Sequence, residues 1–213
     1  MRSSLDAPLI DDPRDYIGRP GISPALAALV CAGLVRPEHR ILDVGCGRGT
    51  DLVALAQMGF RRLEGLDHNA ASLRAAKRRE RDALGERRIV WRWATLDALL
   101  DLEPASYDWL VDAFLLNNLR ERDEPEYLRR LARLLPEGGR LLLHVKHGPR
   151  LWERGGKEGA RSPHFDAGPA VLTWWAEGGG RWASHASGFV QVLTRNGRPI
   201  PPARREAARA ARR

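Results

Sequence analysis

Cysteine is scarce in this chain of 213 residues: Cys31 and Cys46 are the whole complement. Neither has a partner at ligand spacing, which argues against a disulfide framework and a zinc module and for a reducing compartment. Long apolar runs are missing as well. No stretch approaches the roughly 18 apolar residues that a membrane span needs. The N-terminal MRSSLDAPLIDDPRDYIG carries acids and no apolar segment of signal-peptide length. The expectation is a soluble, cytoplasmic protein. Lysine is rare beside arginine, a bias that genome composition can produce without any binding role, and no internal repeat is visible.

What is present suits one domain. Hydrophobic residues make up 43% of the chain, enough for a full core at this length. The formal charge of +8 is unevenly placed: from residue 195 to residue 213 seven arginines face one glutamate, a net +6 that leaves +2 for the rest. A Pro/Ala/Arg end of this kind reads as a disordered, solvated tail over 196–213. Residues 1–22, polar and punctuated by Pro8, Pro13 and Pro20, read as an N-terminal arm. The folded domain is expected over 23–195.

Within it, Ser23-Pro24 opens a helix with an apolar stripe to Leu34. Strands are expected at 40–44, 62–66, 89–94, 107–114 and 140–146, and helices at 50–58, from Asn69 to Leu84 with Leu73, Ala76, Ala83 and Leu84 inward, and at 124–135. The third strand alternates Ile89, Trp91 and Trp93 against Val90, Arg92 and Ala94, while the unbroken WLVDAFLL run suits a strand covered on both faces. This regular alternation is that of a doubly wound sheet. It breaks at 147–166, a Gly- and Arg-rich stretch without period that reads as a lid loop. A helix at 167–177 and a hairpin-like pair over 182–194 are expected to close the domain.

The chemistry concentrates between Arg40 and Asn69, where strand, glycine turn, helix, strand and acid follow one another. A glycine turn at a helix N-terminus, beyond the carboxyl end of a parallel strand, suits an adenosine-containing cofactor. The spacing selects which one. A dinucleotide site uses G-x-G-x-x-G, whereas Gly45, Gly47 and Gly49 give G-x-G-x-G, with Asp43 two residues ahead. A carboxylate there repels a pyrophosphate but serves a ligand carrying an ammonium and a sulfonium. Asp67 stands 18 residues after Gly49, near the interval of about 20 at which an acid meets ribose hydroxyls; its other reading is a helix cap.

Taken in order, the blocks resemble the class I S-adenosylmethionine-dependent methyltransferases over about 40–146. The family's first motif stands as Leu42-Asp43-Val44-Gly45-Cys46-Gly47-Arg48-Gly49, its second-strand acid as Asp67, and its fourth-strand block as Tyr107-Asp108-Trp109-Leu110-Val111-Asp112-Ala113-Phe114. Its turn into the fifth strand stands as Leu134 to Leu143, with Glu137 where Pro-Gly is usual. The resemblance implies an α/β fold, a doubly wound, mostly parallel seven-stranded sheet with helices on both faces and an antiparallel last strand. It implies S-adenosylmethionine as cofactor, with Asp43, Gly45, Cys46, Gly47 and Gly49 along its methionine part. Asp67 would bind the ribose with His68 beside it. Leu96 and Asp97 would lie by the adenine, although Leu96 stands where the family commonly has glycine. Asp112, Ala113 and Phe114 would line the site near the transferred methyl, Asp112 being equally readable as a capped structural carboxylate.

Transfer from a sulfonium needs alignment and exclusion of water more than it needs a base. Candidate bases are Asp112, His68, His144 and His147; the last two have a metal-like spacing but no third ligand, and no metal is expected. Asn117-Asn118 lacks the rest of an N-P-P-Y block, and neither cysteine follows a proline. The acceptor is expected between the arm and the 147–166 loop, where Arg150, Arg154, Lys157 and Arg161 suit an anionic molecule and Trp152, Trp174 and Trp175 offer apolar walls. A small-molecule acceptor is preferred. The alternatives are an RNA or protein acceptor held through the basic tail and a non-catalytic cofactor-binding protein.

Overall fold

A computed structural model of the chain describes residues 22–145, 163–174 and 187–200. Helix α1 (Pro24–Cys31) leads into strand β1 (Arg40–Val44), helix α2 (Thr50–Gln57), strand β2 (Arg62–Asp67), helix α3 (Ala70–Leu84) and strand β3 (Ile89–Trp93). Strand β4 (Trp109–Ala113), helix α4 (Glu124–Leu134), strand β5 (Arg140–Val145), strand β6 (Phe165–Trp174) and strand β7 (Ser187–Arg195) complete it, with short 3-10 turns at Leu96–Leu100, Leu116–Asn118 and Glu121–Asp123.

The sheet runs in the order β3-β2-β1-β4-β5-β7-β6. Strands β1 to β5 are parallel, and β7 lies antiparallel between β5 and β6. The seven-stranded, mostly parallel sheet with an antiparallel last strand is the expected one. Successive side chains along β1 serve opposite layers: Leu42 and Val44 join Leu110, Leu128, Leu131 and Leu141 on one face, and Ile41 joins Leu52, Leu55, Phe60 and Trp109 on the other. That is the period of a strand buried on both sides. The order reverses between β1 and β4, the place where such sheets open a crevice beyond their carboxyl ends.

Two local readings are corrected. The stretch expected as a helix at 167–177 is strand through Trp174, and Phe165 and Asp166, assigned to the loop, begin it. Gly168 and Pro169 explain why: proline removes a helical N–H and glycine weakens helix, while the register shift between Ala167 and Ala170 absorbs both in an edge-strand bulge. On α3, Ala83 is exposed, and Glu80 is the buried residue beside Leu73 and Ala76. Its carboxylate accepts from the N–H groups of Arg88 (2.6 Å) and Ile89 (2.7 Å) and from Trp91 Nε1 (2.7 Å), sewing α3 to β3.

Of the two serine and asparagine caps that the sequence offers, one forms. Asn69 accepts from the N–H groups of Ala71 and Ser72 at the head of α3. Ser23 stands at the α1 N-cap position but caps nothing: its N–H and hydroxyl donate to Asp51, at 2.6 and 3.0 Å, binding α1 to α2. The lid residues of 147–162, with His147, Arg150, Trp152, Arg154, Lys157 and Arg161, lie outside the described residues, as do Trp175, the arm through residue 21 and the tail from 201. Among the described residues no helix is long and apolar enough to cross a membrane.

Candidate functional site

The glycine turn leaves β1 with Gly45 and Cys46 donating to the Leu66 carbonyl, at 2.8 and 3.1 Å, so it is pinned to the end of β2. Gly49 closes it by donating to the Cys46 carbonyl at 2.8 Å and stands at the head of α2 with φ of 67°. A Cβ on Gly49 would lie 2.2 Å from the Trp91 ring and 3.0 Å from Ala76, so α2, α3 and β3 meet there with no room for a side chain. Gly47 has φ of 53° and open space above it: a Cβ there would meet nothing within 4 Å. Gly49 thus serves packing, and Gly47 stands in open space with its N–H given to Asp67.

Asp67 is the hinge of this arrangement. One of its oxygens accepts from Gly47 N–H at 2.8 Å and the other from Asn69 N–H at 2.7 Å. The helix-cap reading is met by Asn69 instead, and Asp67 ties the cap to the turn. Each carboxylate oxygen keeps a further acceptor site, and the side chain borders a cavity of about 400 Å³. Gly45, Leu66, His68, Ala94, Thr95, Leu96, Asp97, Leu115, Asn118 and Leu119 complete its wall. The structure thus brings Gly45, Asp67, His68, Leu96 and Asp97 around one space, of a size usual for small-ligand sites. Asp97 also accepts from Arg130 at 2.9 Å, and Arg130 holds the Leu96 carbonyl at 3.1 Å, which fixes the wall that faces Asp67.

The wall contains residues that sequence reasoning did not single out. Leu115 and Leu119 come from the turns after β4, and a Cβ on Gly45 would stand 3.1 Å from Leu115. Their only signal was position: apolar residues just past a strand expected at the sheet's center. Trp93, 73% exposed, fastens the rim by donating Nε1–H to the His68 carbonyl at 2.9 Å.

Asp43, Cys46, Asp112 and His144 sit behind this wall. Asp43 is buried, and burial, followed by the carboxylates of Asp51, Asp112 and Asp67, pushes its carboxyl well above the usual range. Burial, with Asp43 and Asp67 adding to it, pushes the Cys46 thiol up, so it is no nucleophile. Asp112 is fully buried and accepts from Leu115 N–H (2.8 Å), Leu116 N–H (3.2 Å) and Tyr127 O–H (2.9 Å). Of its two sequence readings, this geometry matches the structural cap. Phe114 follows with φ of 72°, a rare conformation for a bulky residue and one met at functional sites. Its ring centroid lies 4.1 Å from that of His144, and Ala113 precedes it half-buried at the end of β4.

Two buried groups here oppose each other in pH. Burial pushes the Asp112 carboxyl up to about 6 and pulls the His144 imidazole down to about 4. With its folded value raised, Asp112 contributes stability that is fully present below about pH 4 and lost as pH rises through 6. With its folded value depressed, His144 contributes stability present above about pH 6.5 and lost as pH falls through 4. Removing one exposes the other. The stability of Asp112→Asn relative to the parent chain is expected to improve by about 3 kcal/mol from roughly pH 4 to 7, and that of His144→Phe to decline over the same range. Denaturant unfolding across this range measures both, and pH-independent differences would contradict the assignment.

The comparisons with known proteins converge on one class. Residues 41–139 match the family model of a methyltransferase domain. Among solved structures, magnesium protoporphyrin IX methyltransferase from Synechocystis PCC 6803 superposes with a TM-score of 0.59 at 19% identity, over 80% of this chain and 76% of that one. The 1,6-didemethyltoxoflavin-N1-methyltransferase of Burkholderia thailandensis gives 0.58 at 21% identity, over 81% and 77%. TrmN from Thermus thermophilus gives 0.60 at 25% identity, over 80% of this chain and 48% of that one. No curated protein matches the chain in sequence.

Proposed function

We propose that this chain, which belongs to the class I S-adenosylmethionine-dependent methyltransferases, moves a methyl group to a small-molecule acceptor entering beside the cavity bounded by Asp67, Leu96 and Leu115. The observation that carries the reading is the glycine turn clamped to Asp67 over that cavity. The cradle fits the cofactor: open space at Gly47, an acid with spare acceptor sites, and apolar walls from Leu66, Ala94, Leu96, Leu115 and Leu119 that suit a flat heterocycle. S-adenosylmethionine, when bound, supplies the electrophilic methyl on its sulfonium.

The chain's own part is to bind, orient and dry the site. Asp67 accepts from the ribose hydroxyls with lone pairs left after Gly47 and Asn69 are served. The Arg130 clamp on Asp97 and Leu96 keeps the adenine side in place, and Leu115 and Leu119 exclude water. Asp112 is committed to three donors, and neither it nor the buried His144 lines the cavity, so no base is assigned to the transfer. Catalysis then comes from alignment of the acceptor with the S–CH3 bond. Similar methyltransferases include ones named for a porphyrin and a toxoflavin precursor, which supports a small acceptor.

Calorimetric titration tests the cofactor. S-adenosylmethionine and its demethylated product are expected to bind, and Asp67→Ala to weaken both by about 1–3 kcal/mol, the cost of losing hydrogen bonds to a charged acceptor. Binding of NAD in place of either would overturn the reading. A labelled-methyl assay on fractionated extract then identifies the acceptor. Removing residues 201–213 is expected to leave turnover of a small acceptor unchanged; its loss would shift the acceptor to a polyanion.

A further inference from the structure

The opposite end of the sheet carries a second hollow, of about 460 Å³, lined by Arg40, Arg61, Arg62, Leu63, Glu64, Arg88, Val90 and Tyr107. It lies at the amino ends of β1, β2 and β3, where Arg40 pairs with Arg62 in register and Leu63 with Ile89. Five residue steps along β2 take the chain from Arg62 to Asp67, about 16 Å of strand, so a small ligand here cannot touch the cofactor site.

Four arginines from three strand ends converge on this space, and their compensation is incomplete. Glu64 is taken by Arg92, and Glu86 by Arg88. Among the described residues no ion pair involves Arg40, Arg61 or Arg62. Arg40 is held with its guanidinium 5.4 Å from the Tyr107 ring center, which orients the fork instead of neutralizing it. Leu63 and Tyr107 supply a buried apolar floor, Val90 stands 51% exposed beside it, and the Glu64 carboxylate, held by Arg92, also lines the space. A cationic rim over an apolar floor matches a ligand with phosphates at one end and a flat base at the other, because guanidinium forks bind phosphate oxygens in pairs.

We propose that this hollow is a second binding site, for the phosphate-bearing end of a nucleotide unit, with Arg61 and Arg62 as its main anion ligands. The unit can be free or part of a strand, and α3 separates the two sources. Arg74, Lys77, Arg78 and Arg81 follow one another at helical spacing along a single exposed stripe of α3, whose C-terminal end leads into the loop carrying Arg88. A strand can extend along that stripe and a free nucleotide cannot.

The test uses the full chain with uridine 5′-triphosphate and a twelve-residue oligouridylate as probes, chosen because neither carries the adenine of the cofactor. Fluorescence titration at low salt is expected to show triphosphate binding that Arg61→Ala/Arg62→Ala weakens roughly tenfold or more, with affinity for S-adenosylhomocysteine unchanged. Tighter binding of the oligonucleotide, reduced further by Arg74→Ala/Arg78→Ala, assigns the site to a strand; equal binding, indifferent to the α3 variant, assigns it to a free nucleotide. Triphosphate binding that is absent, that ignores the Arg61/Arg62 change, or that competes with S-adenosylhomocysteine overturns the proposal.

Discussion

Replacing Glu80 by alanine is expected to destabilize the chain by about 3–5 kcal/mol, as removing one side of a buried charged network does. Three donors depend on this carboxylate, and all three belong to the approach to β3: Arg88 N–H, Ile89 N–H and Trp91 Nε1–H. Alanine leaves the buried Ile89 N–H and the part-buried Arg88 N–H and Trp91 Nε1–H without that acceptor, at about 1–3 kcal/mol each before water or rearrangement relieves part of the cost. For a domain of this size the loss corresponds to a fall in melting temperature of roughly 6–20 °C. Glu80→Gln retains one acceptor oxygen but sets an amide N–H against one of the three donors, so an intermediate loss is expected. Thermal unfolding of the two variants decides the matter: an alanine variant as stable as the parent would mean that the network is replaceable by solvent.

The second large effect is at Gly49. Gly49→Ala places a methyl 2.2 Å from Trp91 Cη2 and does so at φ of 67°, where an L-residue is already strained by about 1–2 kcal/mol. Overpacking adds roughly 1–3 kcal/mol, and Trp91 cannot swing aside freely because Glu80 holds its Nε1. The total expected loss is about 2–5 kcal/mol, with weakened cofactor binding following from the displaced turn. Gly47→Ala is the contrasting case. Nothing stands within 4 Å of its new methyl, so stability should fall by only about 1–2 kcal/mol from the backbone strain. Its N–H is the donor that positions Asp67, so cofactor affinity is expected to fall at least as far as for Gly49→Ala. Calorimetry and thermal unfolding on the two variants separate packing from binding; parallel losses in both would refute the division of labor between the two glycines.

The legible part of the site was the part written locally. Strand, glycine turn, helix, strand and acid fall within thirty residues from Arg40 to Asn69, and periodicity together with turn chemistry is enough to place them. Pairings across the sheet were not legible. Glu80 stands in an Arg-Arg-Glu-Arg run that reads as a solvated helix face, and its burial depends on donors from a strand eight or more residues later. Asp97 could be placed near the site, but its clamp to Arg130 joins residues 33 apart. Asp112 left two readings open in sequence because the choice rests on Tyr127, from a helix that reaches it only in the folded chain. The helix expected at 167–177 failed for another reason: Val171-Leu172-Thr173-Trp174 is a short apolar run that fits either period, and only the bulge at Gly168-Pro169 reveals a strand.

That bulge governs how the molecule can associate. Strand β6 is the outer member of the sheet on its side, and a bare outer strand is a template on which another chain can add a strand of its own. Pro169 has no N–H to offer and the shifted register beside it bends the row of backbone groups, so continuous strand addition stops there. The flaw in the last hairpin therefore shortens the unbroken row of backbone groups with which an incoming strand could pair on that side.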